Sequence, residues 1–168
     1  MISDDEKIFR DKIDIKQMES QVYNTISQLN KLGFNDSNCD IRINSKGIGE
    51  SEYKNIIKLM SMTTLNELNK IFGEKTYIGE YFYVFYQLMP CFLDKNKTAI
   101  IIAGIDQDPF FRLARDIAPR MGFPKPIVIY TKNVIGLDGS PKMSTSNQNS
   151  NPIFIDDTRD NQTKNIKY

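Results

Sequence analysis

The sequence predicts an α/β fold that is built around a small parallel sheet. Two short segments, residues 98–103 and 126–130, are apolar and rich in β-branched side chains, as buried parallel strands are. Asp108 and Pro109 lie between them and match the N-cap and the first position of a helix, which continues with apolar residues at helical spacing. A strand, a helix and a strand in this order form a βαβ unit.

The composition is that of an ordinary globular protein. The chain has 168 residues, of which 40% are apolar and 26% are charged, and this length is enough to bury a core. The net charge is +1, so charge alone gives no reason to expect a nucleic-acid partner. Histidine is absent, which excludes an imidazole base, a Ser-His-Asp triad and a His-ligated metal from these residues. We predict no metal site.

The cysteines and the apolar stretches indicate a cytoplasmic location. Cys39 and Cys91 do not form a Cys-x-x-Cys pattern, and two free thiols in a reducing compartment are the favoured interpretation. The acidic first residues do not resemble a signal peptide. The apolar stretch at residues 99–103 is too short to cross a bilayer, so no membrane partner is expected.

Residues 1–75 are predicted to form a helical region. Apolar residues recur there at intervals of three or four, and glycines follow two of the periodic stretches, as C-terminal helix caps do. Thr64 and Glu67 have the spacing of a capping box. The predicted elements are helices over residues 15–32, 53–60 and 64–72, a short strand at 39–43 and a loop at 45–49.

Residues 78–92 are predicted to form a buried aromatic helix that contains one amide. Gln87 lies inside this apolar run, and a buried amide must be hydrogen-bonded or it costs a few kcal/mol. Gln87 is therefore either a satisfied core glutamine or a donor in a ligand pocket.

The end of the first predicted strand is a candidate ligand site. Ligands of open α/β sheets bind outside the carboxyl ends of the parallel strands, where Gly104, Asp106 and Gln107 follow the strand. The glycine permits close approach to the backbone, the carboxylate can accept hydrogen bonds from a ribose, and the amide can bind a polar substrate group. A capped strand-to-helix turn without a ligand explains the same residues.

A polar loop supplies a second candidate. Lys142 is followed by Met143, Ser144, Thr145 and Ser146, and a lysine with three hydroxyls can wrap a polyphosphate. A solvated surface loop has the same composition, so the pattern alone leaves both interpretations open.

Together, the two candidates resemble a known family. Residues 142–146 resemble the Lys-Met-Ser-Lys-Ser signature of class I aminoacyl-tRNA synthetases, and the strand end at 104–107 lies at the expected distance upstream. The stretches 105–112 and 115–126 look like the tryptophanyl-tRNA synthetases of eukaryotes and archaea. The resemblance is close over residues 76–160 and weaker from about residue 4 onward.

The resemblance implies a reaction and a set of binding residues. The family activates tryptophan with ATP, accompanied by Mg²⁺ as part of the substrate and with no tightly bound cofactor, and then transfers it to tRNA(Trp). The implied roles are ATP binding by Gly104, Asp106, Lys142, Met143, Ser144 and Ser146, with Lys142, Ser144 and Ser146 acting on the phosphates during catalysis, and tryptophan binding by Gln87, Gln107 and Phe111.

The resemblance also implies that the chain carries only part of the family's fold. We assign residues 1–75 to a helical insertion region, 76–160 to the second half of the nucleotide-binding, Rossmann-like sheet, and 161–168 to a tail. The His-x-Gly-His half and the anticodon-binding domain have no counterpart in the sequence. An incomplete synthetase that is inactive alone, a catalytically dead module that binds ATP, tryptophan or a synthetase, and an unrelated nucleotide-binding protein remain as alternatives.

An oligomer is a further expectation from the resemblance. The family forms homodimers partly through the insertion region, and a complementing chain would supply the missing half. The stripe of Tyr53, Ile56, Ile57 and Met60 could face a second subunit or pack within its own chain.

Overall fold

The computed structural model describes residues 1–11, 14–143 and 152–157. The predicted tail at 161–168 lies outside them.

Two helices open the chain. Helix α1 covers Asp5–Asp11 and helix α2 covers Ile15–Lys31, where Asp14 caps α2 by accepting a hydrogen bond from the Lys16 amide. Met18 and Val22 form the buried stripe of α2. The predicted end of this helix is confirmed, because Gly33 follows the last turn with a φ of 90°, a conformation that glycine adopts without strain.

The segment after α2 differs from the prediction. The strand expected at 39–43 is wrong: among the described residues, this stretch contributes one isolated bridge, between Ile2 and Ile43. The loop expected at 45–49 contains a short helix, α3, at Asn44–Gly47. Its first turn closes on buried Asp4, which accepts hydrogen bonds from the Ser45 amide and hydroxyl.

Two further helices complete the first half of the chain. Helix α4 covers Glu50–Ser61, and helix α5 covers Leu65–Phe72. The predicted capping box is confirmed: the Thr64 hydroxyl accepts from the Glu67 amide, and the Glu67 carboxylate accepts from the Thr64 amide. Both bonds satisfy donors that the first turn of α5 leaves without an intrahelical partner.

The aromatic segment forms two helices instead of one. Helix α6 covers Gly79–Gln87, and a 3-10 helix follows at Met89–Phe92. Pro90 explains the break, since it has no amide hydrogen with which to continue the α-helical ladder. Val84, Phe85 and Phe92 are nevertheless buried, as the apolar composition predicts.

The predicted βαβ unit is confirmed. Strand β1 covers Ile100–Gly104, helix α7 covers Asp108–Met121, and strand β2 covers Ile127–Thr131, parallel to β1. The expected N-cap is wrong by one residue: Gln107 is the cap and Asp108 is the first helical residue, because a 3-10 turn at Ile105–Gln107 lies between β1 and α7.

One hydrophobic core joins both halves of the chain. It combines residues of α4, α5, α6 and α7, and the inner sheet face packs against it through Ile101, Ala103, Val128 and Tyr130. The core therefore runs across the predicted boundary at residues 75 and 76, and that boundary stays a prediction. The expectation of fully buried strands is wrong for the outer face, where Ile100, Ile102, Ile127 and Ile129 are exposed.

The apolar stripe of α4 is divided between core and surface. Ile56 is buried and Met60 packs against the core, whereas Tyr53 and Ile57 are 58% and 47% exposed. The stripe therefore packs partly within its own chain and leaves two residues available to a second copy.

This arrangement makes α4 a test of the core. Replacing fully buried Leu59 by alanine should lower the free energy of unfolding by about 2–5 kcal/mol, since the cavity adds to the lost burial. Ile57→Ala, two residues earlier on the exposed face, should change it by less than about 0.5 kcal/mol. Chemical denaturation of both variants measures the difference, and equal effects would contradict the described orientation of α4.

Candidate functional site

The 3-10 turn at Ile105–Gln107 places two polar side chains at the carboxyl end of β1. Gly104 precedes the turn, and a Cβ atom there would lie 2.6 Å from Asp106 Oδ1. Any larger residue would therefore have to displace the Asp106 carboxylate. The glycine at this position allows the turn to fold back against the end of its own strand.

Asp106 forms an ion pair with the lysine of the polar loop. Lys142 Nζ donates to Asp106 Oδ2 at 2.5 Å, although the two residues are 36 positions apart in sequence. The Asp106 side chain is 34% exposed and the Lys142 side chain is 55% exposed, so the pair is open to solvent. The Lys142 ammonium group lowers the pKa of the Asp106 carboxyl below its ordinary value, because the hydrogen bond favours the charged form.

The loop that carries Lys142 is closed by its own hydrogen bonds. The Met143 amide donates to the Val134 carbonyl at 2.6 Å, and the Gly136 amide donates to the Ser140 carbonyl at 2.9 Å. Asp138 accepts from the Ser140 amide and hydroxyl, and Gly139 turns the chain with a φ of 81°. The Asp-Gly turn thus returns the chain toward β1 and brings Lys142 to Asp106.

Gln107 and Gln87 form the second contact of the turn. Gln87 Nε2 donates to Gln107 Oε1 at 2.5 Å, and this bond joins the end of α6 to the residue before α7. Both side chains are partly buried. Phe111 lies one helical turn after Gln107 and is only 4% exposed, within the hydrophobic core.

The structure therefore brings most of the predicted site residues to one end of the sheet. Gly104 and Lys142 both lie close to Asp106, and Gln87 contacts Gln107, whose side chain also hydrogen-bonds to Asp106. The Met143 amide is committed to the Val134 carbonyl. Ser144 and Ser146 lie outside the described residues.

Sequence reasoning missed polar residues of the neighbouring strand. Asn133 follows β2, and its Oδ1 would lie 3.5 Å from a Cβ atom on Gly104. The Thr131 hydroxyl donates to the Ala103 carbonyl at 3.3 Å. The rule that parallel strands end at one edge of a sheet could have identified both, because they occupy the end of β2 as Gly104 occupies the end of β1.

Tyr130 and Asp108 are another pair that the sequence did not indicate. Burial, followed by a hydrogen bond to Asp108, raises the pKa of Tyr130 to about 12. Arg112 Nε lies 2.6 Å from the Asp108 carboxylate. Asp108, in the first turn of α7, therefore contacts both Tyr130 of β2 and Arg112 of its own helix. These contacts hold the turn that carries Asp106 and Gln107.

Cys91 has no features of a catalytic thiol. Cys91 is buried and its pKa is raised to about 12, so it remains protonated at neutral pH. Both cysteines are free.

Within residues 1–11, 14–143 and 152–157, no three His, Cys, Asp or Glu side chains group as metal ligands. No helix in the same ranges has the length and apolarity needed to span a membrane.

The two parallel strands with their surrounding helices form an α/β arrangement that matches the Rossmann-like fold of class I synthetases. Residues 2–168 match the family of tRNA synthetases class I (W and Y), and the chain belongs to this family.

Several relatives are named tryptophan--tRNA ligases. The chain is 34% identical to that of Pyrobaculum aerophilum over 166 residues, which cover 94% of this chain and 44% of the relative. It is 32% identical to the cytoplasmic ligase of Dictyostelium discoideum over 182 residues, which cover 99% and 45%. The chain thus spans less than half the length of these relatives.

Solved structures give the same result for the fold. A parasite tRNA synthetase in a product-bound crystal structure superposes with a TM-score of 0.86 at 30% identity, over 100% of this chain and 47% of that one. The tryptophan-bound tryptophanyl-tRNA synthetase of Encephalitozoon cuniculi gives 0.81 at 31% identity, over 96% and 48%.

The ion pair predicts a measurable pH response. Because its pKa is lowered, Asp106 should remain ionised below the ordinary aspartate value of about 3.9, and the contact with Lys142 should be lost only as the pH falls through the lowered value. In Lys142→Met, the pKa of Asp106 should rise toward the ordinary value. Carboxyl NMR titration measures both.

Asp94 is the internal control for this titration. Its pKa is also lowered, chiefly by the Asn96 amide, and Lys142 is not among the causes. The Asp94 value should be the same in both proteins. An Asp106 pKa that is unchanged in Lys142→Met would contradict the ion pair.

Proposed function

We propose that this chain supplies an ATP- and tryptophan-binding part of a tryptophan--tRNA ligase. The observation that carries the proposal is the 3-10 turn, in which consecutive residues Asp106 and Gln107 contact the loop lysine and the Gln87 amide. Asp106 would bind the ribose of ATP and Gln107 would bind tryptophan. Their adjacent positions would hold the two substrates close enough to react with each other. The matching family and the tryptophan--tRNA ligases among the relatives support the choice of substrates.

The proposed reaction has two steps. A carboxylate oxygen of tryptophan attacks the α-phosphorus of ATP, the bond to the bridging oxygen breaks, and pyrophosphate leaves. A hydroxyl of the terminal ribose of tRNA(Trp) then attacks the activated carbonyl carbon, and AMP leaves. Neither step needs a covalent enzyme intermediate, so positioning and charge stabilisation carry the catalysis.

Lys142 is the residue to which we assign the phosphates. Its ammonium group is held at the strand end by Asp106, and exchange of the carboxylate for a phosphate oxygen would keep the lysine in a charge-assisted hydrogen bond. Gly104 and Asp106 would then contact the ribose, and Met143, whose amide is bound to Val134, would contact the adenine through its backbone carbonyl. Ser144 and Ser146 are assigned to the phosphates from sequence, and Mg²⁺ would arrive with ATP as part of the substrate.

Gln87 and Gln107 are the residues to which we assign tryptophan. Each is a partly buried amide at the edge of an apolar core, and an amide at such a position can hold the ammonium or indole NH of the ligand. Phe111 would line the apolar side of the pocket. The bond between the two amides satisfies a donor of Gln87 and the oxygen of Gln107 when no ligand is bound.

We further propose that the chain is inactive alone and acts in the cytoplasm with tRNA(Trp) as the final acceptor. It spans less than half the length of its relatives, some of which are named as cytoplasmic enzymes. A homodimer through exposed Tyr53 and Ile57 remains part of the proposal. A module that binds ATP or tryptophan without activating it is the alternative, and tryptophan-dependent exchange between pyrophosphate and ATP distinguishes the two.

Lys142→Ala tests the ATP site. It removes a charged hydrogen bond and leaves Asp106 unpaired near the phosphates, so ATP affinity should fall by about 1.5–3 kcal/mol, measured by titration calorimetry on the full chain. Lys97→Ala is the matched control, since Lys97 is an exposed lysine whose partner is Asp94. Equal affinities of the Lys142 variant and the unmodified protein would remove Lys142 from the site.

Gln107→Leu tests the tryptophan site. The substitution replaces the amide with an apolar side chain of similar size. Tryptophan affinity, measured by equilibrium dialysis, should therefore fall by about 1–3 kcal/mol. Gln17→Leu, on the exposed face of α2, controls for general effects of the change and should bind normally. If both variants bind tryptophan equally well, Gln107 has no place in the pocket.

A further inference from the structure

The outer face of the β1–β2 pair is an exposed apolar surface. Ile100 and Ile102 on β1 are 64% and 73% exposed, and Ile127 and Ile129 on β2 are 50% and 52% exposed. The register places Ile100 opposite Ile127 and Ile102 opposite Ile129, so the four side chains form one continuous patch. We call these four residues the isoleucine face.

This surface is unusual for parallel strands. Parallel sheets bury both faces, because their crossover helices cover them, and a two-stranded sheet alone is only marginally stable. Here α7 covers the inner face, and among the described residues the sheet has two strands. The four isoleucines are β-branched and occupy alternate positions of the two strands. Such a pattern is typical of strands whose outer face is covered as well as their inner face. Contiguous exposed apolar patches mark interaction sites.

We propose that the isoleucine face binds the remaining part of the class I catalytic fold, namely the polypeptide that the relatives contain beyond the region matched here. The inference rests on the proposed function for the identity of this occupant. More than half of each superposed synthetase has no counterpart in this chain, so a polypeptide of sufficient size exists in the family.

The position of the isoleucine face supports the same occupant. The face belongs to the two strands whose carboxyl ends carry Gly104, Asp106 and Asn133. A polypeptide packed on it would therefore lie beside the turn with Asp106 and Gln107. Binding at this surface would bury the patch and add groups to the partly built site in a single step.

The test uses the full 168-residue chain and, as the probe, the part of the Dictyostelium discoideum ligase that lies outside the matched region. Sedimentation and calorimetry should detect a one-to-one complex. The double variant Ile102→Thr with Ile129→Thr should weaken it by about tenfold or more, since it removes two buried aliphatic groups. Threonine keeps the β-branched shape that strands favour, and circular dichroism checks that the variant is folded.

Matched controls lie elsewhere on the chain. Ile78 and Ile135 are 73% and 67% exposed but belong to neither strand, and Ile78→Thr with Ile135→Thr should bind the probe normally. Hydrogen exchange provides a second measurement: the β1 amides should become protected when the probe is added.

Each other outcome overturns the proposal. It is wrong if the unmodified chain and the probe do not associate, if the two double variants bind equally, or if the isoleucine face instead mediates self-association of this chain. Pyrophosphate exchange reports separately on the proposed function. A complex that forms through the isoleucine face but gives no exchange would keep the docking surface and reject the enzymatic activity.

Discussion

The packing of α7 against one face of the β1–β2 pair is the constraint on which the rest of the structure depends. Two parallel strands require a crossover connection, and α7 is that connection. Its buried residues, which include Phe110, Ile117 and Met121, join the inner sheet face to α4 and α6. Because both strands run the same way, both carboxyl ends lie at one edge.

This geometry explains why distant parts of the sequence meet. The chain leaves β1 through a 3-10 turn and leaves β2 into the loop that carries Lys142, so both exits lie at the same edge of the sheet. Helix α6 ends nearby with Gln87, because its apolar residues pack into the core that α7 also shares. The site is thus built at the edge of the core by three segments, and the core positions them.

Much of the fold could be predicted from the sequence because local signals were strong. Helical periodicity, the capping box at Thr64 and the β-branched strands each depend on neighbouring residues, and each is confirmed. The strand expected at 39–43 failed because alternation alone does not supply a pairing partner; among the described residues only the bridge from Ile43 to Ile2 forms. The exposure of the outer sheet face depends on what is packed there, which local sequence does not encode.

For the candidate site, the sequence predicted the residue types but not the contacts between them. The residue types at 104–107 and at Lys142 indicated a nucleotide site, but the ion pair between Asp106 and Lys142 depends on the course of the intervening chain. The bond between Gln87 and Gln107 likewise depends on packing, and it shows that the Gln87 amide has a hydrogen-bond partner, whereas a role of Gln87 in a ligand pocket stays a prediction. Asn133 was missed because a single polar residue after a strand carries no motif.

The 3-10 turn has a consequence for how two ligands would influence each other. Asp106 and Gln107 are adjacent in the turn, and a hydrogen bond from the Gln107 side chain is among the contacts that lower the pKa of the Asp106 carboxyl. If the two side chains bind ATP and tryptophan as proposed, a ligand that changes this hydrogen bond would change the binding free energy of the other ligand, and the effect would be reciprocal. In the proposed enzyme, such coupling would act through this three-residue turn and would need no hinge or domain movement.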